Sequence, residues 1–368
     1  MYKKILLLGN SKLAIFGFRG EIIEKLVNDG YDVYVSFPNG PFGEGEEISK
    51  KYKCKFYEID ISRRSTNPLK DLNLLRNYVK MMKKIKPDIV FAFTVKCDIY
   101  GGLACRKLKI PFVPNITGLG KGLTEGKITK IITKKLYKSA LKKSLCVFFQ
   151  NESDKQFFID NKIKFKKCVV LPGSGVNLEK FKPLEYPSDK TIIFTYIARV
   201  MKAKGIDEFL EAARTIKKEK KNVEFHICGY CEEDYKDIIE KESNNKNIIY
   251  HGLVDDVIKY EKISHCIVLP SFHPEGISNV LLEAAASARP IITTNRIGCK
   301  ETIDDGISGY LTEEKNPKDL IDKMNQFINL SFKEKEEMGK KGRKKMEKSF
   351  NRKIVVDKYL ELLKNKGW

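Results

Sequence analysis

The stretch Pro270-Ser-Phe-His-Pro-Glu-Gly-Ile-Ser-Asn-Val-Leu-Leu-Glu283 closes an apolar run, turns, and opens a helix that continues through residues 284–287. Ahead of it stands Ile263-Ser-His-Cys-Ile-Val-Leu269, whose apolar second half leaves no face for water, the pattern of a strand buried on both sides of a parallel sheet. Glu275 then falls in the loop at the strand's carboxyl end, and Glu283, eight residues on, two turns into the helix. Ligands of open parallel sheets bind at the carboxyl ends of the strands, and a helix amino terminus adds unpaired N–H groups that favour a phosphate. Such a geometry suits a nucleotide.

Outward from this stretch the α/β pattern repeats in both halves. Lys3-Lys-Ile-Leu-Leu-Leu-Gly-Asn10 reads as a buried strand, residues 20–27 as a helix and residues 31–37 as the next strand. This opening makes a parallel sheet with right-handed crossovers, and the loop between its strand and helix carries Phe18-Arg19. No Gly-x-Gly-x-x-Gly is present there, which disfavours a dinucleotide oxidoreductase. Further strands are expected at 55–60, 88–94, 110–117, 145–150, 192–198, 223–229, 247–254, 290–294 and 309–311. At 368 residues the chain exceeds what one core holds. Two domains are expected, 1–182 and 190–350, joined by the polar, proline-punctuated segment 182–190, with a last helix in 351–368.

Glu275 and Glu283, with Pro270-Ser before them, Gly276 between and Ala-Arg-Pro290-Ile-Ile after, resemble the acid–seven–acid signature of family four, the large retaining family of GT-B glycosyltransferases. The resemblance implies two Rossmann-like domains facing a cleft, with the last helix crossing back to the first. It places Glu283 on the ribose of a nucleotide sugar, Glu275 beside the sugar hydroxyls, and Gly276, Ile277, Ser278, Asn279 and Val280 around the donor. Val254, in the Gly252-Leu-Val turn, is put near the base. Arg199 and Lys204 match the family's diphosphate-neutralising pair. The departing diphosphate gains negative charge in the transition state, and positioned cations stabilise it. Glu275, Arg199 and Lys204 are thus the expected catalytic set.

A narrower likeness, carried by Thr94-Val-Lys96…Asp98-Ile-Tyr-Gly and Asn115-Ile-Thr117-Gly118-Leu-Gly120, is to bacterial enzymes that extend lipid-linked oligosaccharides for capsule, O-antigen or protein glycosylation. It implies a polyprenyl-diphosphate-linked acceptor, with Arg19, Lys96, Asn115, Thr117 and Gly118 on the acceptor side. Spacing does not resolve the donor sugar; the order expected is UDP-N-acetylhexosamine, then UDP-hexose, then a GDP-sugar. Other readings of the same shell are a non-catalytic membrane- or polyanion-binding protein and a GT-B phosphorylase or epimerase.

The formal charge of +21 calls for an anionic partner. No RNA-recognition, helix-turn-helix or zinc-finger pattern accompanies it, so nucleic acid is not expected. Residues 127–143 hold Lys127, Lys130, Lys134, Lys135, Lys138, Lys142 and Lys143, interleaved with Ile128, Ile131, Ile132, Leu136 and Leu141. A helix here has a basic side, suited either to the inner leaflet of an anionic membrane or to solvent. No signal-peptide or transmembrane run is evident, so a cytoplasmic, peripheral enzyme is expected. Nine dispersed cysteines argue for reduced thiols, and the lone Cys228-Gly-Tyr-Cys231 lacks a partner pair at zinc spacing. All four histidines lie at 226–273, which excludes a first-domain histidine base. No Asp-x-Asp ends a strand. With Arg199 and Lys204 on the diphosphate, no metal or cofactor is expected.

Overall fold

The computed structural model describes residues 3–40, 43–61, 67–188, 190–231 and 235–364. The chain forms two units, 1–174 with 353–368, and 175–352. It leaves the first unit eight residues ahead of the segment 182–190 expected as the boundary.

The first unit holds a seven-stranded sheet with every ladder parallel: β1 (Lys4–Leu8), β2 (Asp32–Phe37), β3 (Lys55–Glu58), β4 (Ile89–Phe93), β5 (Phe112–Ile116), β6 (Val147–Phe149) and β7 (Cys168–Val170), in the order β3-β2-β1-β4-β5-β6-β7. Its helices are α1 (Phe18–Asn28), α2 (Glu44–Lys51), α3 (Pro68–Ile85), α4 (Gly102–Leu108), α5 (Lys121–Thr124), α6 (Lys127–Leu141) and α7 (Glu152–Asp160). Local chemistry sets their starts. Asn67 caps α3 through its side chain with Pro68 at the first helical position, and Asn151 caps α7 by accepting from the Asp154 N–H at 2.7 Å. A π-helical turn, Cys97–Gly101, precedes α4. Side chains of α3, this turn, α4 and α6 share one apolar cluster on one face of the sheet.

The second unit has six parallel strands, β8 (Ile192–Ile197), β9 (Val223–Cys228), β10 (Ile249–Tyr250), β11 (Cys266–Leu269), β12 (Ile291–Thr294) and β13 (Gly309–Thr312), ordered β10-β9-β8-β11-β12-β13. Around it pack α8 (Ile206–Glu219), α9 (Lys236–Asn244), α10 (Ile258–Ile263), α11 (Asn279–Ala286), α12 (Pro317–Ile328) and α13 (Phe332–Lys345). The last helix, α14 (Arg352–Lys364), belongs to the first unit from Lys353 on. Its Val355, Val356, Tyr359, Leu360, Leu362 and Leu363 fill the other face of the first sheet with Ile5, Leu7, Phe91 and Phe148. Residues 365–368, the end of the segment expected to be helical, lie outside the described residues.

Candidate functional site

In the second sheet the strand order reverses between β8 and β11, which pair side by side. At such a reversal the two flanking strand-to-helix loops part and leave a crevice outside the carboxyl ends of the strands. Arg199 and Lys204 lie on the loop after β8, and residues 275–278 on the loop after β11, with Asn279, Val280 and Glu283 in α11. The two loops are laced together: the Phe272 N–H donates to the Ala203 carbonyl at 2.9 Å and the Ser271 hydroxyl to the same oxygen at 3.4 Å. Across this lacing the Lys204 ammonium and the Glu275 carboxylate form an ion pair, both side chains largely sheltered from solvent. His273 stands next to it, its Nδ1 3.9 Å from the Glu275 carboxylate. Two sheltered charges at contact hold each other in place, because removing either strands the other away from water.

A third loop, after β12, completes the floor. The Ser278 N–H donates to the Gly298 carbonyl at 2.7 Å. Gly298 has φ +92°, and a Cβ there would stand 2.8 Å from the Glu275 carbonyl oxygen and 3.1 Å from that of Gly276. Glycine alone combines this favoured positive φ with the missing Cβ that lets the loop brace the Glu275–Gly276 peptide. The sequence reading missed Gly298; a single glycine in Arg296-Ile-Gly-Cys299 carries no motif.

Helix α11 starts at this floor, and its N-cap, Ser278, makes no side-chain cap bond. The first-turn N–H groups are thus left for an anion. The helix starts later than expected, at Asn279, so Glu283 lies about one turn in, where burial pushes its carboxyl up to about 7, against the pull of the Lys180 ammonium and the Arg352 guanidinium. Arg199 is exposed at the end of β8. Val254 is set apart from this group, following β10 on the far side of β9, half-buried against the core.

The first sheet also reverses, between β1 and β4. Thr94, just past β4, has φ +85°, an unusual conformation for a β-branched residue. The chain it turns presents Lys96, whose ammonium pairs with Asp71 at 2.6 Å while the Tyr100 hydroxyl donates to the other Asp71 oxygen at 2.8 Å. Arg19 departs from expectation. It lies in the first turn of α1, not in a loop, and is 3% exposed, donating to the Ala14 carbonyl at 2.9 Å with its guanidinium 4.1 Å from the centre of the Phe93 ring. Asn115 is likewise buried, donating to the Tyr359 hydroxyl at 2.8 Å. Asp98 is buried too; desolvation pushes its carboxyl well above the ordinary range, against the attraction of Arg19. Arg19 and Asn115 therefore shape the interior beneath the edge, while Lys96, Thr117 and Gly118 remain partly accessible on it.

Residues 127–141 form helix α6 as expected, but its lysines do not share one side. Lys130 and Lys134 turn onto the Phe157 ring at 5.5 and 6.0 Å, while Lys127, Lys135, Lys138 and Lys142 are exposed. Cys228 ends β9, Cys231 lies 3.6 Å from the Tyr250 hydroxyl, and all nine cysteines are free thiols.

Residues 178–345 match the family model "Glycosyl transferases group 1", and residues 4–151 match "Glycosyl transferase 4-like". Among curated proteins the chain is 28% identical to the N,N'-diacetylbacillosaminyl-diphospho-undecaprenol alpha-1,3-N-acetylgalactosaminyltransferase of Campylobacter jejuni, over 87% of this chain and 88% of that protein. It is 27% identical to the capsular polysaccharide biosynthesis glycosyltransferase CapM of Staphylococcus aureus, covering 92% and 90%. With the UDP-Gal:alpha-D-GlcNAc-diphosphoundecaprenol alpha-1,3-galactosyltransferase of Escherichia coli it shares 28% identity, covering 93% and 92%. Among solved structures, a glycosyltransferase from Rickettsia africae superposes with TM-score 0.80 at 23% identity, covering 99% of this chain and 100% of that one. Two family models that between them take in most of the chain, and relatives matched over nearly their whole length, make this protein a glycosyltransferase of the GT-B fold, its second unit matching the group 1 model.

Proposed function

We propose that the chain is a retaining, metal-independent transferase that moves a sugar, an N-acetylhexosamine or a hexose, from a UDP-sugar to a polyprenyl-diphosphate-linked saccharide at the inner face of the membrane. One observation carries the donor half of this reading: the Lys204–Glu275 pair and the open first turn of α11 sit together where the second sheet reverses. The α11 N–H groups and Lys204 suit the diphosphate, and Arg199, exposed at the end of β8, suits it from the rim. Glu283, about one turn deeper, suits the ribose hydroxyls, and Glu275 those of the sugar. Val254 is assigned to the base and Ile277, Ser278, Asn279 and Val280 to the donor's surroundings.

In the reaction the bond from the sugar's anomeric carbon to the β-phosphate oxygen breaks and UDP leaves with the electron pair. The acceptor hydroxyl bonds to the same face of that carbon and passes its proton to the departing phosphate oxygen. Cations beside that phosphate lower the barrier as its charge grows, so no protein base and no divalent ion is required in this scheme. The acceptor half rests on the relatives, two of which are named for undecaprenol-diphosphate-linked substrates. Lys96, Thr117 and Gly118 are the residues assigned to it. Offering a panel of nucleotide sugars with an undecaprenyl-diphosphate sugar, and reading products by mass spectrometry and anomeric NMR, tests the reading. An α-linked product from an α-linked UDP-sugar is expected. An inverted linkage, or turnover that stops with EDTA, overturns the mechanism.

A further inference from the structure

Five large apolar side chains of the first unit stand out in solvent on two helices of the same face. On α3 they are Leu69, 76% exposed, and Leu72, 44%; on α6 they are Ile128, 74%, Ile131, 54%, and Ile132, 52%. In a sheet of parallel strands each following helix begins at the carboxyl edge, so both groups occupy the leading turns of helices that start at one edge. The π-helical turn bearing Tyr100 lies between them, packed into the same cluster and tied to α3 through Asp71.

Apart from Lys70 and Lys127, which stand exposed at the tips themselves, the exposed cations of these helices follow one rule. Along the exposed side of α3, Leu69 and Leu72 are succeeded by Arg76, Lys80 and Lys83; along that of α6, Ile128, Ile131 and Ile132 are succeeded by Lys135, Lys138 and Lys142. At 100° per residue, each set falls on a single stripe. The apolar and basic residues therefore share a face and are separated along the axis, not around it. From Leu69 to Arg76 and from Ile128 to Lys135 is the same seven-residue step, about 10 Å at 1.5 Å per residue. Two helices thus carry an apolar tip followed, at the same distance along each axis, by a basic collar. A helix lying flat on a membrane needs an apolar side along its whole length; neither has one. A protein partner has no reason to match a step in depth on two separate helices, whereas a lipid leaflet is layered this way, its phosphates standing several Å outside its hydrocarbon boundary.

We propose that the first unit docks tip-first on an anionic lipid leaflet, the leucines of α3 and isoleucines of α6 entering its apolar boundary while Arg76 and Lys135, the next cations along each stripe, meet its phosphates and Lys80, Lys138 and Lys142 stand further out over its anionic surface. This rests on the membrane reading above and replaces its single basic side with a definite contact. Lys130 and Lys134, turned onto Phe157, take no part.

Single-tryptophan chains test it, the one natural tryptophan, Trp368, being replaced by phenylalanine. Ile131→Trp, Leu72→Trp and Lys138→Trp are mixed with phosphatidylglycerol vesicles containing a lipid brominated high on its acyl chains. Emission from the first two is expected to be quenched by more than half, and that from Lys138→Trp much less. Equal quenching at all three positions, or none at Ile131→Trp and Leu72→Trp, overturns the docking mode. Separately, Ile128→Ser with Ile131→Ser and Ile132→Ser should lower vesicle co-sedimentation at least tenfold, with UDP affinity unchanged as the control for folding. A change in oligomeric mass instead would make the patch a contact between copies and overturn the proposal. The two readings fail separately: transfer to a short-chain, water-soluble acceptor depends on the proposed chemistry alone, and vesicle binding without nucleotide depends on docking alone.

Discussion

Replacing Glu283 by glutamine removes a carboxyl and keeps its shape, and the expected consequence is a change in how UDP binding depends on pH. Burial raises this carboxyl to about 7. A ribose diol donates two hydrogen bonds most favourably to the ionised form. If that form is the competent one, apparent affinity scales with its fraction, roughly nine-tenths at pH 8 and one-tenth at pH 6. The wild-type protein should therefore lose about tenfold in UDP affinity between those values, or about 1.4 kcal/mol. The sign is fixed by the direction of the shift: a raised carboxyl is protonated in the free protein below its folded pKa, so binding strengthens as pH rises through it. The phosphates of UDP titrate near 6 as well, but they do so equally in both proteins. Glutamine should bind UDP more weakly than wild type at pH 8 and show only the slope due to UDP. Calorimetry at pH 6, 7 and 8 measures this. Repeating the pH 7 titration in buffers of different ionisation enthalpy should show wild type releasing about half a proton more than the variant. Equal slopes and equal proton release in the two proteins would refute both the placement of Glu283 on the ribose and its raised pKa.

Other perturbations follow from the same site. Lys204→Met leaves Glu275 sheltered without its partner and removes a cation from the proposed leaving group, so kcat should fall by about 100-fold or more, with melting temperature lowered; activity within threefold of wild type would exclude Lys204 from the chemistry. Gly298→Ala forces a Cβ into the Glu275 carbonyl at a backbone angle that disfavours it, at about 1–3 kcal/mol. Donor KM should rise with little change in acceptor KM, as steady-state kinetics will show. Replacing Lys135, Lys138 and Lys142 by glutamine should weaken co-sedimentation with anionic vesicles at low salt, and much less at high salt, where screening already removes the attraction. Tyr359→Phe leaves the buried Asn115 amide without its acceptor and should lower stability by about 1–3 kcal/mol, read by urea unfolding of the first unit.

Much of the second unit was legible because its chemistry is local. The Glu275–Glu283 spacing, the strand before it and the cations at 199 and 204 are carried by short segments whose residue types answer to one place each. The helices missed between motifs explain themselves physically. Helix α13 reads Phe332-Lys-Glu-Lys-Glu-Glu-Met-Gly-Lys-Lys-Gly-Arg-Lys-Lys345 and shows no apolar period, because it buries Lys335, Gly339 and Gly342 with a single apolar side chain, Met338. A Cβ at Gly339 would stand 2.1 Å from the Ala288 carbonyl, so the helix packs by backbone approach instead of side-chain burial. Helix α2 is similarly polar, burying Gly45 and Ser49. Arg19 was misplaced because a charged residue two positions from Gly17 reads as loop, whereas Phe93 offers it an aromatic face inside the unit. The division of the α6 lysines depends on Phe157, supplied by a different helix, and no reading of 127–143 alone could find it.

The return of α14 bears on the order in which the halves of the molecule mature. Its six apolar side chains close one face of the first sheet, Tyr359 standing 5.1 Å from Phe91 and 4.8 Å from Phe148 between ring centroids. At about 1.5–3 kcal/mol for each buried side chain, that face contributes on the order of 10 kcal/mol, comparable with the whole stability of an ordinary domain. The ribosome emits residues 1–174 first, yet they cannot hold their native sheet until residues 353–364 arrive. Residues 175–352 are contiguous and can fold as soon as they emerge. The usual amino-to-carboxyl order of domain folding is thereby inverted. A chain terminated before α14 keeps a folded second unit and lacks the first, so quality control acting on exposed apolar surface would remove truncated copies through their amino-terminal half.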